Sequence, residues 1–386
     1  MNILILMGVY PNYGGVEKVS TILANKFLNL GYGVSIISFE QPFPELASEL
    51  NIGVNLYQFP ESGKFSRKNI EFLRQILIKN NIEVIINQWC LPYPITYLCN
   101  QAMKGTNCKR LYAAHHNMPD NNSLIQKYSM LLDENKNINN KVMLGLSKFL
   151  TGLSIKLVYN NSTNYILLSN SFKINFKKIT KLKKIDKIRV ITNPLTTVEN
   201  NTIESLEKEN IILYVGRVDY NQKRLLRLLD VWNFIYKKIP NWKFVIVGDG
   251  PDLADLKEKA KSMELERIFF EGFQSPEIYY KKSKILVMSS EYEGFGLVIC
   301  EGMNYGVVPV VYNSFEAARD IIDDGVNGYL ISPVGGKFNA KNMANTILKL
   351  VNSNLDEISN AAFLKSKKYN LDTISKEWIN LFNEGH

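Results

Sequence analysis

The sequence predicts an α/β protein made of two Rossmann-like, doubly wound domains. Three observations carry that reading. Strand-like and helix-like segments alternate along the chain, and the alternation restarts near residue 211. The strand-like segments are near-continuous runs of Ile, Val and Leu, the pattern of parallel strands covered on both faces. A chain of 386 residues also exceeds what one hydrophobic core ordinarily organises.

Composition narrows the class. Hydrophobic residues make up 46% and charged residues 22%, which is ordinary for a globular chain. The net charge of +9 is unevenly placed: residues 1–200 hold 23 Lys/Arg against 12 Asp/Glu, or +11, while residues 201–386 come to −2. An anionic partner for the first half accounts for this asymmetry, and so does a solvated basic face. Cys90, Cys99, Cys108 and Cys300 form no C-x-x-C pair and no ligand cluster with the three histidines, and read as buried thiols. Residues 3–7 are too short for a signal-peptide core. No stretch approaches the ~18 apolar residues of a bilayer span, so the expectation is a soluble or peripheral protein, cytoplasmic by its cysteine usage.

Asn2–Met7 reads as a central strand. Gly8-Val-Tyr-Pro-Asn-Tyr-Gly-Gly15 turns into a helix pattern from Val16 to Leu30, closed by Gly31. Gly14 and Gly15 can let backbone approach a phosphate or sugar, or can serve tight packing alone. The turn is not G-x-G-x-x-G and no Walker pattern occurs, so nicotinamide-cofactor and P-loop readings lose their main support. Strands follow at Val34–Phe39, Val54–Phe59, Glu83–Asn87 and Arg110–Ala114, with helices at Lys68–Lys79 and Ile95–Met103. Ligands of such sheets sit at the carboxyl ends of strands. His115 and His116 lie there, and either a structural or a functional role fits them.

Residues 120–164 are less regular, with Asp120–Ser123 reading as a turn and cap. Lys141–Tyr159 is strongly apolar, with Lys141, Lys148 and Lys156 within one half of a helical wheel. It reads either as a surface helix that touches lipid or as a core-facing helix with a solvated basic edge. Lys173–Arg189 carries eight basic residues against Asp186 alone, which fits an anionic membrane or an acidic acceptor. Aromatic interleaving is confined to Phe172 and Phe176, so no nucleic-acid partner is expected. A strand at Ile188–Thr192 precedes the turn signal Asn193-Pro194, where the domain boundary is placed.

The second half repeats the alternation. Strands read at Ile211–Val215, Lys243–Val247, Ile268–Phe270 and Ile285–Met288. Helices read from about Lys223, at Leu253–Met263, at Pro276–Lys282, and at Asn339–Val351 and Leu355–Phe382. The chemistry concentrates at residues 290–306, Ser-Glu-Tyr-Glu-Gly-Phe-Gly-Leu-Val-Ile-Cys-Glu-Gly-Met-Asn-Tyr-Gly. Gly294 and Gly296 open backbone N–H groups to an anion at a helix N-terminus, and Glu293 and Glu301 flank the turn. Carboxylates repel phosphate unless they face hydroxyls, so the arrangement suits a phosphorylated sugar or nucleoside. An ordinary βα turn with an acidic first turn is the plainer alternative. Gly216-Arg217 and Lys223 sit at the same kind of turn, and two cations beside a helix N-terminus would hold a diphosphate as a leaving group. No Ser-His-Asp or activated-Cys constellation stands out, and no metal-ligand cluster is read.

Glu293 and Glu301 enclose seven residues, and Gly306-Val-Val-Pro-Val-Val311 follows in register. This resembles the E-x7-E signature of retaining glycosyltransferases of family 4, whose GT-B fold sets two Rossmann-like domains across a cleft. The resemblance covers about Ile211–Ser332 strongly and the N-terminal half weakly. It implies an acceptor-binding domain at 1–193, a nucleotide-sugar domain at 194–368, and a terminal helix at 369–386 crossing back. It implies diphosphate contacts from Arg217 and Lys223, in the family's G-R-x(5)-K pattern, helped by N–H groups near Phe295, Gly296 and Leu297. Glu293 would bind sugar hydroxyls, Glu301 the ribose, and Gly272 and Phe273 would lie near the base. Gly14-Gly15 matches a G-G loop of the family. His116, followed by Asn117 and Pro119, matches its sugar-orienting histidine, with His115 the alternative.

The implied protein is a metal-independent transferase that takes a nucleotide sugar, UDP-linked by family frequency, as co-substrate with no bound cofactor. The acceptor would be lipid-linked or a glycan of surface polysaccharide, handled at the inner face of the cytoplasmic membrane. The alternatives are a non-catalytic nucleotide-sugar-binding relative and a GT-B epimerase or phosphorylase.

Overall fold

The computed structural model describes residues 1–63, 65–119, 123–134, 137–197 and 208–384. The expected cap at Asp120–Asn122, most of the polar stretch before Asn210, and His386 lie outside them. The chain divides into two compact units, Met1–Thr196 with Leu371–His386, and Thr197–Asn370.

Among the described residues of the first unit, seven strands form one sheet in the order β3-β2-β1-β4-β5-β6-β7, every pairing parallel. They are β1 (Asn2–Val9), β2 (Gly33–Glu40), β3 (Asn55–Gln58), β4 (Val84–Asn87), β5 (Arg110–His115), β6 (Asn164–Leu167) and β7 (Ile188–Val190). Helices α1 (Gly15–Asn29), α2 (Arg67–Lys79), α3 (Tyr93–Met103), α4 (Ser123–Glu134), α5 (Ile138–Asn160) and α6 (Phe172–Thr180) connect them. Side chains alternate across each strand, so Leu4 and Leu6 of β1 join Leu73 and Leu77 of α2 and Leu98 and Cys99 of α3 in one core layer. Local chemistry sets the helix starts: the Ser66 hydroxyl accepts from Asn69 N–H at α2, and Asn137 caps α5 through Asn139 N–H.

Among the described residues of the second unit, six strands form one parallel sheet in the order β10-β9-β8-β11-β12-β13. Its strands are β8 (Ile211–Val215), β9 (Lys243–Val247), β10 (Ile268–Gly272), β11 (Ile285–Met288), β12 (Val308–Tyr312) and β13 (Tyr329–Ile331). The helices are α7 (Leu226–Ile235), α8 (Leu253–Ser262), α9 (Glu277–Lys282), α10 (Leu297–Asn304), α11 (Ala318–Ile321), α12 (Ala340–Val351) and α13 (Asp356–Ser366). Trp232 of α7, Phe244 of β9 and Ile347 of α12 lie in its main core. In each sheet the order reverses direction beside the first strand, the switch point at which open α/β sheets bind ligands.

Three expectations are corrected. The single helix read over Leu355–Phe382 is broken: α13 ends at Ser366, a 3₁₀ turn covers Lys367–Tyr369, and Asn370 is extended (φ −61°, ψ 145°) before α14 (Leu371–Asn383). The break falls where the chain passes from the second unit to the first. There Phe382 of α14 packs on Phe27 of α1, the Phe382 carbonyl accepts from Arg110, and Asp372 pairs with Lys26. Helix α7 starts three residues later than read, because Arg224 takes a left-handed conformation (φ +53°) that helical residues avoid. Finally, α5 is long and apolar enough to cross a membrane by length and composition. The polar residues Ser147, Lys148, Thr151, Ser154 and Lys156 inside it hide it in the sequence.

Candidate functional site

In the second unit the loops that leave the carboxyl ends of β8, β9 and β10 are joined by backbone hydrogen bonds. Gly216 N–H donates to the Val247 carbonyl at 3.0 Å, Val218 N–H to Asp249 at 2.8 Å, and Gly248 N–H to Gly272 at 2.7 Å. The approach is so close that a Cβ on Gly248 (φ +144°) would fall on the Gly216 carbonyl. Glycine at 248 is thus required by space and by backbone conformation together.

The β8 loop also reaches the loop after β11. Asp219 organises the first by accepting from Gln222 N–H at 2.8 Å. Gln222 then bridges: its carbonyl accepts from Glu291 N–H at 2.7 Å, and its side-chain amide donates to the Tyr292 carbonyl at 3.2 Å. Arg227 fastens the same loop from α7. Its guanidinium donates to the Ser289 carbonyl at 3.0 Å and to Glu291 at 2.6 Å, and lies 5.2 and 5.1 Å from the Tyr312 and Phe338 ring centroids.

These supports place Lys223 Nζ 2.6 Å from Glu293 Oε1, with the two side chains 14% and 9% exposed. Two groups read from sequence as a phosphate ligand and a sugar ligand therefore neutralise each other. Arg217 stands apart with its side chain 59% exposed, held only at its edge by Asp219 at 3.3 Å and Gln222 at 3.4 Å. Helix α10 begins just after Gly296, whose φ of +89° only glycine adopts readily. The first N–H groups of a helix have no full intrahelical acceptor; at α10 the Ile299 N–H turns back to the Gly296 carbonyl at 2.9 Å. Phe295 is buried edge-on against Tyr369 at 5.6 Å. Glu301, inside α10, is buried and accepts from the Tyr280 hydroxyl at 3.0 Å. Burial and this carboxylate hold the Tyr280 phenol well above its ordinary pKa. Gly272 (φ +70°) has open space around it, and Phe273 beside it is exposed.

In the first unit Gly14 and Gly15 are exposed at the start of α1, and a Cβ on Gly15 would meet open space. The structure distinguishes the two histidines. His115 ends β5 with its ring buried and Nδ1 2.7 Å from the Tyr165 hydroxyl. His116 comes one residue later, at the rim, with Nε2 hydrogen-bonded to Gln88 Oε1 of the neighbouring β4 loop. Because that oxygen only accepts, Nε2 carries the proton and Nδ1 the lone pair. Nδ1 is buried with no hydrogen-bond partner among the described residues. Burial lowers the His116 pKa to about 4; burial and the neighbouring His116 lower that of His115 to about 3. Both rings are neutral near pH 7.

Sequence reasoning did not single out Gln88, Gln222, Arg227 or Tyr280. All four act on partners distant along the chain, and no local pattern marks them. Among the described residues no group of three or more His, Cys, Asp or Glu is placed to hold a metal ion.

The two parallel-sheet α/β units are those of the GT-B fold. Anabaena HepE, solved in complex with UDP-glucose, superposes with a TM-score of 0.74 at 17% identity, over 99% of both chains. The family model described as glycosyl transferases group 1 matches residues 198–367. An uncharacterized glycosyltransferase of Haemophilus influenzae is 26% identical over 95% of each chain. The amylovoran biosynthesis glycosyltransferase AmsD of Erwinia amylovora is 24% identical over 99% of each. These matches support a glycosyltransferase.

Proposed function

We propose that the protein is a retaining, metal-independent glycosyltransferase of family 4 that moves a sugar from a nucleotide sugar, preferably UDP-linked, to a lipid-linked or glycan acceptor of surface polysaccharide. The observation that carries this reading is the rim of the second unit, where Arg217, the Lys223–Glu293 pair and the start of α10 converge through Gln222 and the β11 loop.

Arg217, Lys223 and the N–H groups at Phe295–Leu297 would take the diphosphate and stabilise it as it leaves. Glu293, released from Lys223, would accept from the sugar hydroxyls, and Glu301 from the ribose. Gly216 and Gly272 keep the rim low, and Phe273 offers an exposed ring to the base. In the first unit, the unpartnered Nδ1 of His116 would accept from a hydroxyl of the transferred sugar and orient it, while Gly14 and Gly15 admit the acceptor side. The family resemblance implies that the departing phosphate deprotonates the acceptor on the same face, so no protein nucleophile is needed. Such an acceptor would bring the enzyme to the inner face of the cytoplasmic membrane as a peripheral protein.

A thermal-shift panel of UDP, GDP and ADP, then the matching nucleotide sugars, tests the reading on wild type and Arg217→Ala. At about 100 times its Kd a ligand stabilises the native state by roughly 2.7 kcal/mol. The expected result is a shift with one nucleotide that is lost in Arg217→Ala. No shift with any nucleotide sinks the proposal, and binding without transfer or donor hydrolysis favours a non-catalytic relative.

A further inference from the structure

Helix α5 turns an apolar stripe outward. Val142, Leu146, Phe149 and Leu153 recur at i, i+4, i+7 and i+11, with Leu150 beside them, and all are exposed, Phe149 by 67%. On the opposite side Thr151, Ile155, Val158 and Tyr159 are buried in the first unit. Helix α6 packs so closely on this inner side that a Cβ on Gly152 would fall on the Ile179 carbonyl. An exposed stripe of large apolar side chains on one helix is a docking surface rather than scattered surface apolarity.

We propose that this face of α5 is where the protein seats on an anionic lipid surface, the stripe entering the acyl boundary and Lys156 beside it, with the other exposed lysines of α5 and α6, drawing on the headgroups. Charge selects the occupant. The described part of α5 carries no acidic residue, and Lys141, Lys148 and Lys156 are all exposed. Lys177, Lys178, Lys181, Lys183 and Lys184, on and just after α6, are exposed as well. The first unit as a whole holds 24 Lys/Arg against 14 Asp/Glu. A second copy of the chain would set these cationic faces against each other, whereas acidic headgroups neutralise them. Lys156, at i+3 from Leu153 and i+7 from Phe149, borders the stripe and can lay its stem along it with the ammonium in the headgroup layer, while Lys141 and Lys148 project from other sides of the helix and add longer-range attraction. Although α5 is long enough to span a bilayer, its inner face is committed to the first unit, so the helix lies along the surface.

The inference deepens the peripheral-membrane part of the proposed function by assigning its surface. It is tested on the full chain by flotation with vesicles of phosphatidylcholine alone and of phosphatidylcholine with phosphatidylglycerol. Wild type is expected to float with the anionic vesicles only. Phe149→Glu with Leu153→Glu is expected to stay in solution with an unchanged melting temperature, and Lys156→Glu to bind about fivefold more weakly or worse. Because the four native cysteines are buried, Phe149→Cys can be labelled selectively with an environment-sensitive fluorophore. Its emission should shift to the blue on anionic vesicles, while the same label at Glu258→Cys on α8 should not respond.

Flotation of the double variant like wild type overturns the assignment to α5 but leaves a peripheral protein held by other basic residues. Failure of wild type to float overturns both. A wild-type dimer that the double variant dissolves makes the face a self-association surface and likewise overturns the proposal.

Discussion

The Lys223–Glu293 pair makes a counterintuitive prediction: removing the glutamate's charge should strengthen nucleotide binding while it abolishes transfer. At 2.6 Å and with both side chains largely shielded from water, the gross attraction is about 6 kcal/mol at an effective dielectric constant of ~20. Desolvation of the two charges offsets most of that, leaving a net coupling of about 1–2 kcal/mol. A diphosphate that takes Lys223 must first separate the pair. Glu293→Gln keeps the side chain's shape and hands Lys223 to the phosphate without competition. The Kd for the cognate nucleoside diphosphate should therefore fall about five- to thirtyfold, since ~1.4 kcal/mol is a factor of ten.

Transfer should fall by about a hundredfold or more, because a ligand of the reacting sugar is lost. Calorimetric titration of wild type, Glu293→Gln, Lys223→Met and the double variant completes a thermodynamic cycle. The tightening should vanish in the Lys223→Met background. A Glu293→Gln variant that binds the nucleotide more weakly, or that tightens without Lys223, would show that Lys223 does not hold the phosphate.

Two further outcomes follow from the geometry. Burial lowers the His115 and His116 pKa values to about 3 and about 4, below the unfolded value near 6.5, so the unfolded chain binds more protons between these limits. Stability from neutral histidine is complete above about pH 6.5 and is lost as pH falls toward 4; urea midpoints measured across that range should show a shallower acid slope in His116→Asn than in wild type. Gly248→Ala should destabilise the second unit by at least about 2 kcal/mol, since its Cβ meets the Gly216 carbonyl backbone. Gly272→Ala, with open space and only a positive φ to strain, should lose about 1 kcal/mol. Equal losses in urea melts followed by circular dichroism would refute the steric account.

The strands that form the middle of each sheet were legible because parallel strands buried on both faces leave apolar runs: Ile3–Met7, Ile211–Val215 and Ile285–Met288 announce themselves. Strand β6 did not, because its Asn-Tyr-Ile-Leu is only four residues long and follows a polar turn. The glycines and charged residues of the rim could be named from the strand–turn–helix pattern. Their pairing could not: Lys223 and Glu293 are 70 residues apart, and only the order of β8 and β11 in the sheet brings them together. The resemblance preferred His116 to His115 but the local pattern could not separate their surroundings; strand alternation turns His115 toward Tyr165 and leaves His116 at the rim beside Gln88. For α5, periodicity revealed two unlike faces but not which of them the rest of the unit would cover.

Helix α14 carries one more consequence. The first unit is written in two pieces, with the whole second unit inserted between Thr196 and Leu371. A ribosome therefore releases the second unit's sequence while the first still lacks the helix that packs on Phe27 and receives Arg110. The unit translated first is the one finished last, its apolar α1 surface awaiting a segment made well over a hundred residues later. Trimming the chain near Leu371 would injure the half of the protein that begins at Met1, and leave the half it borders intact.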